Sequence, residues 1–120
     1  SYLQASINFD SAVQKVKSSG LFPIFAHPER YAYLHKNLKS YTQYKDEGLL
    51  FQLNILSLGD YYGKEVKQTA LYLLKNNLVD FLASDVHKIT QLNYLKKISI
   101  NEKTLMLIKP VIEKTIYNFK

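Results

Sequence analysis

Phe9, Ala12, Val13 and Val16 recur at the spacing of one helix face, with Asn8 or Asp10 placed to cap that helix and Gly20 to end it. Leu21 to Ala26 is a short continuous apolar run broken only by Pro23. It predicts a strand buried on both faces, the kind a covered parallel sheet contains, with the proline near its entrance. In His27-Pro28-Glu29-Arg30 the proline is expected to hold His27 extended and to serve as the first residue of a new helix. Leu38 to Glu47 predicts a helix closed by Gly48, and Leu49 to Ile55 a second strand with Gln52 and Asn54 as polar interruptions. Ser57 to Gly63 is a turn-rich connector. Val66, Ala70, Leu71, Leu73 and Leu74 mark a further helix that Asn76-Asn77 ends, and Val79 to Ala83 reads as a third strand. Beyond Ser84-Asp85-Val86-His87 the chain is lysine-rich and helical, with Pro110 starting or kinking the last helix.

Strands and helices that alternate with short connections predict an α/β fold of right-handed βαβ units around a parallel sheet or barrel. Only three strands are visible, whereas a closed eight-stranded barrel takes roughly 200 residues or more. The expectation is therefore one partial β/α domain over residues 1–120. An exposed parallel edge in such a domain invites pairing, either as a homodimer or with a missing amino-terminal half.

Composition narrows the chemistry. The 120 residues include no cysteine, which removes disulfides, thiolate metal sites and cysteine nucleophiles and fits a reducing compartment. The formal charge of +6 favours a phosphorylated or polyanionic partner. Its lysines are scattered, as on a solvated surface, and no basic-aromatic nucleic-acid motif appears. No apolar run is long enough to span a bilayer and no secretory signal opens the chain, so a soluble cytoplasmic protein is expected.

In parallel α/β folds ligands collect at the carboxyl ends of the strands. His27 follows the first strand directly, and Asp85 and His87 follow the third, two apart, so that an extended backbone aims both to one side. Imidazole and carboxylate together suit a shared divalent cation such as manganese, iron or zinc. Taken singly, Asp85 also reads as a helix cap and His27 as a core histidine. Arg30 is placed to close on a phosphate, with a surface pair to Glu29 or Glu47 as the plainer alternative. His35 reads as surface or as support for the site, and Tyr31 and Tyr33 as packing or as the frame of an aromatic pocket. No Gly-rich phosphate loop or serine nucleophile elbow is present.

"FPIFAHPERY", "LLFQLNILSLGDYYGKEVKQTALYLL" and "VDFLASDVH", in this order and spacing, resemble the carboxyl-terminal half of the metal-dependent tyrosine phosphatases of bacterial capsule and exopolysaccharide operons, within the polymerase-and-histidinol-phosphatase (PHP) superfamily. The resemblance covers most of residues 1 to 90. It implies a distorted β/α barrel holding up to three metal ions, usually manganese or iron, that activate water against phosphotyrosine on the tyrosine-rich tail of a capsule-regulating kinase. It makes His27, Asp85 and His87 metal ligands and gives Arg30 the substrate phosphate. The family's opening His-x-His strand and its further carboxylates have no counterpart upstream of His27. Leu92 stands where many members carry a second arginine, which leaves Lys88 as a substitute phosphate clamp. The other function class is a catalytically inactive fragment that docks an acidic partner. An exonuclease-like or histidinol-phosphate role fits the motif layout less well.

Overall fold

The computed structural model describes residues 14–15, 18–84, 89–98 and 100–118. The helix expected over residues 9–17 therefore lies almost wholly outside the described residues.

Three short parallel strands form one sheet in the order β1 (Ile24–Ala26), β2 (Leu50–Asn54), β3 (Phe81–Ala83). Ile24 is in register with Leu50 and Ala26 with Gln52, while Gln52 also meets Phe81 and Asn54 meets Ala83. All three carboxyl ends consequently open on one side. Parallel neighbours need a crossover rather than a hairpin turn. Between β1 and β2 the chain makes two 3-10 turns, Pro28–Arg30 and Ala32–Leu34, and helix α1 (Lys39–Asp46). Between β2 and β3 it makes a 3-10 turn, Ile55–Leu58, and helix α2 (Lys64–Lys75), and α3 (Ile89–Lys97) and α4 (Glu102–Asn118) follow β3. The mixed α/β reading with three parallel strands holds.

Central β2 buries Phe51 and Leu53 completely. Phe25 and Tyr41 meet the Phe51 ring edge-on, with ring centroids 5.6 and 6.0 Å away. Helix α2 buries Val66, Thr69, Ala70, Leu73 and Leu74, an i, i+3, i+4, i+7, i+8 stripe. Helix α4 turns Thr104, Ile108 and Val111 inward and packs along β3. The Leu82 N–H of β3 donates to Thr115 Oγ1 of α4 at 3.0 Å, so this edge has a partner for one of its outward donors. No helix of the described residues is long and apolar enough to cross a membrane.

Three expectations need correction. The first strand is Ile24–Ala26 alone, and it is buried on one face only: Phe25 is buried, but Ile24 is 46% exposed, and Leu21 and Phe22 before it are 65 and 78% exposed. An apolar run does not reveal whether both of its faces are covered. Pro28 does open a turn, but a 3-10 turn of three residues, and His27 before it is left-handed (φ 54°, ψ 51°) instead of extended. Proline biases the residue before it towards extended backbone, but here the ladder bond to Gln52 and the closing bond from Arg30 go with a left-handed His27. Pro110 does not start the last helix, since α4 begins at Glu102 and runs through it, which leaves only the alternative of a kink.

Candidate active site

The carboxyl end of the sheet is built around the His27-to-Arg30 turn. The strand ladder continues one residue past β1, with the His27 N–H donating to the Gln52 carbonyl at 2.8 Å. The left-handed conformation of His27 then reverses the chain, at a cost of roughly 1–2 kcal/mol for a residue with a Cβ. Arg30 N–H closes the turn on the His27 carbonyl at 3.1 Å.

Glu29 holds this turn to the neighbouring strand. Its side chain is fully buried, and Oε2 accepts the Asn54 N–H at 3.1 Å and the Ser57 hydroxyl at 2.6 Å. Asn54 is the last residue of β2 and Ser57 lies in the 3-10 turn beyond it. Oε1 is buried with no hydrogen-bond partner among the described residues. Burial pushes the Glu29 carboxyl up to about 7, against the opposing pull of the Ser57 hydroxyl, backbone hydrogen bonds and the Arg30 charge. The main chain of the turn is bound as well: His35 Nε2 donates to the Glu29 carbonyl at 2.7 Å, and the buried Tyr41 hydroxyl donates to the Pro28 carbonyl at 2.7 Å. Two residues thus leave the surface roles the sequence allowed them. Glu29 is an internal strut, not half of a surface pair with Arg30, and His35, with a side chain only 10% exposed, supports the turn.

Arg30 reaches from the turn to the β2 side, where its guanidinium carbon lies 4.1 Å from the centroid of the Tyr62 ring. Tyr31 and Tyr33 meet edge to face at 5.7 Å, and Tyr31 also packs on Phe25. That places both in the aromatic packing of the β1 side. Tyr61 contacts the rings of Tyr62 and Tyr94, and the Asp60 N–H donates to the Tyr94 hydroxyl. Tyr94 sits on α3, so this contact ties α3 to the loop after β2.

Of the residues selected from sequence, the structure brings His27 and Arg30 to one turn at the carboxyl end. Asp85, His87 and Lys88 lie outside the described residues. Among the described residues no three His, Asp or Glu side chains gather as a metal-holding group. His27 alone does not fix a cation, though a buried imidazole at a strand end, in a chain without thiolates, is suitable donor chemistry for one. Sequence reasoning missed Asn54 and Ser57. The available signal was their polarity at the end of an otherwise apolar strand.

The profile of the family described as "Capsular polysaccharide synthesis, CpsB/CapC" matches residues 3–102. The chain belongs to the CpsB/CapC family. Among curated CpsB/CapC relatives, CapC of Staphylococcus aureus is 30% identical over 106 residues, covering 88% of this chain and 42% of the relative. Tyrosine-protein phosphatase YwqE of Bacillus subtilis is 33% identical over 75 residues, covering 62% and 30% respectively. A solved structure, from work on YwqE of B. subtilis and CpsB of Streptococcus pneumoniae as metal-dependent tyrosine phosphatases, superposes with a TM-score of 0.68. It is 24% identical to this chain and the match covers 96% of this chain and 51% of the other, which establishes a shared fold. The chain therefore spans about half the length, or less, of the CpsB/CapC proteins it matches.

Proposed function

We propose that this chain is the carboxyl-terminal part of a metal-dependent protein-tyrosine phosphatase, a partial PHP-type β/α barrel domain over residues 1–120 that works in the cytoplasm. Its substrate is phosphotyrosine on the tail of a capsule- or exopolysaccharide-regulating kinase, and its other half is a homodimer partner or an amino-terminal barrel half. Family membership and the metal dependence named for the solved neighbour support the reaction class. The observation that carries the assignment to this chain's own residues is the buried Glu29 strut, which fixes His27 and Arg30 on one rigid turn at the carboxyl end of a parallel sheet.

His27, Asp85 and His87 would hold a divalent cation, manganese in this reading, with iron or zinc as alternatives. When bound, such an ion polarises the phosphoryl group and lowers the pKa of water, so that no cysteine nucleophile is required. Arg30 binds the phosphate through the paired N–H donors of its guanidinium, and Lys88 adds a second positive charge. The turn that carries Arg30 is held by buried hydrogen bonds, which limits the reorganisation needed when phosphate arrives.

The test is phosphate release from a phosphotyrosine peptide with manganese. Slow turnover by the 120-residue chain, stimulated by a polypeptide carrying the opening His-x-His half and abolished by His87→Ala and by Arg30→Ala, is expected. The net charge of +6 favours one other reading, a non-catalytic module for an acidic partner. A thermal midpoint indifferent to metal, together with polyanion binding that falls steeply with salt, would establish that reading instead.

A further inference from the structure

Arg30 is the chain's single arginine, and its side chain does not stand alone in solvent. The guanidinium lies over the Tyr62 ring. Tyr62 is in turn fixed from two sides. Asn54, fully buried at the end of β2, donates from Nδ2 to the Tyr62 hydroxyl at 3.4 Å, and the Tyr61 ring abuts Tyr62 edge to face at 4.9 Å. Arg30, His35, Tyr62, Gly63, Lys64 and Glu65 are among the residues lining one open cleft of about 550 Å³. A phosphate monoester fits in that volume.

The geometry suits an oxyanion for a specific reason. Stacking engages the face of a guanidinium, whereas all five of its N–H donors lie in the plane and point outward from the edge. A flexible arginine must lose rotamer freedom when it grips a ligand, and a ring that already holds the plane removes part of that loss. We propose that Tyr62 is a positioning residue for phosphate capture, holding the Arg30 guanidinium face-on so that its N–H edge is directed to the cleft both residues line. The inference rests on the reading of Arg30 as the phosphate group, and extends it to a residue outside the His-Pro-Glu-Arg motif. The ring is what matters, and the hydroxyl serves to orient it through Asn54.

One arginine means one side-chain Nε–H signal in a nitrogen-15 spectrum of the whole chain, so Arg30 reports on itself without ambiguity. In the natural chain that signal is expected upfield through the Tyr62 ring current, and it should move on titration with inorganic phosphate in the presence of magnesium. Tyr62→Phe should keep the upfield position and the phosphate affinity. Tyr62→Leu should lose the first and weaken the second about fivefold. Tyr62→Gln, also without a ring, repeats the comparison if the leucine variant is poorly folded by circular dichroism. Unchanged phosphate affinity in the ringless variants, with Arg30 still responding to phosphate, overturns the role of Tyr62 and leaves Arg30 as the phosphate group. An Arg30 signal that phosphate does not move in the natural chain overturns both.

Discussion

At the amino end of β3, Asp80 is 7% exposed and is met by cations: Lys45 from α1 and Lys114 from α4 both pair with it, and the Phe51 N–H donates to it at 2.8 Å. At the carboxyl end of β1, Glu29 is more deeply buried still and is met by one hydroxyl and one amide, with no ion pair among the described residues. The two carboxyls respond in opposite directions. Burial pushes Asp80 up, but hydrogen bonds from Lys45, then Lys114 and Phe51, outweigh it and hold Asp80 below the usual carboxylate range. Burial prevails at Glu29. The amino end thus carries a compensated cluster that joins α1, β2 and α4, as a stabilising element should. The carboxyl end keeps an under-compensated acid whose geometric task is to fix a turn bearing His27 and Arg30. Local compromise of this kind gathers where a site needs groups held in place.

The largest expected effect lies at the amino end. Asp80→Ala leaves two lysines facing each other and the Phe51 N–H without its acceptor, and should cost about 3 kcal/mol in urea unfolding, near the lower end for breaking a buried pair because Lys114 is half-exposed. A loss below about 1 kcal/mol would remove the contrast between the two ends. The acid limb of stability follows from the same group. The folded pKa of Asp80 is lowered from its ordinary 3.8, so its stabilisation is complete above that value and disappears as pH falls through the lower folded value. Stability of the natural chain should therefore drop below about pH 4, and Asp80→Asn should flatten that limb while lowering stability at neutral pH.

These two ends were unequally legible in the sequence. Strand β2 and helix α2 follow from pattern because both are covered, and buried Phe51, Leu53, Ala70 and Leu73 carry the period of their own element. The position of His27 at a strand end, and of Arg30 on the turn after it, was legible because the apolar run stops at His27 and Pro28 suits the first position of a turn. The left-handed conformation of His27 was not, since it is imposed by the ladder bond to Gln52 and the closing bond from Arg30. Nor was Glu29. A glutamate beside an arginine reads as surface, and only the meeting of two crossovers places Asn54 and Ser57 over its carboxylate. The exposed face of β1, at Ile24 and Ala26, escaped because burial depends on what packs over a strand, which its own residues do not encode. Asp80 escaped equally, because Lys45 and Lys114 reach it from 35 and 34 residues away.

At the carboxyl end the expected losses are smaller in stability and larger in function. Ser57→Ala removes the shorter of the two hydrogen bonds to Glu29 Oε2 and should cost about 1–2 kcal/mol. Glu29→Gln keeps both bonds on its amide oxygen but puts its NH2 where Oε1 is buried without a hydrogen-bond partner, and should cost about 2 kcal/mol, still less than Asp80→Ala. Thermal and urea unfolding of the pair checks the order. A Glu29→Gln chain destabilised as severely as Asp80→Ala would mean that the carboxylate itself, and not its acceptor geometry, holds the turn.

The smallest effect concerns how α3 is attached. A Cβ on Gly59 would collide with the hydroxyl end of the Tyr94 ring, and the same hydroxyl accepts the Asp60 N–H. Gly59 has an ordinary negative φ, so alanine there meets no backbone strain and the cost comes from displacing Tyr94 alone. The far end of a side chain can move aside, so Gly59→Ala should lose about 1 kcal/mol, the value of one hydrogen bond, and Tyr94→Phe should lose about the same without any collision. If the two losses agree and the double variant adds little, the glycine is there to admit the tyrosine. A double variant whose losses add in full would mean that the two residues act separately, and that α3 is held to the carboxyl end by other contacts.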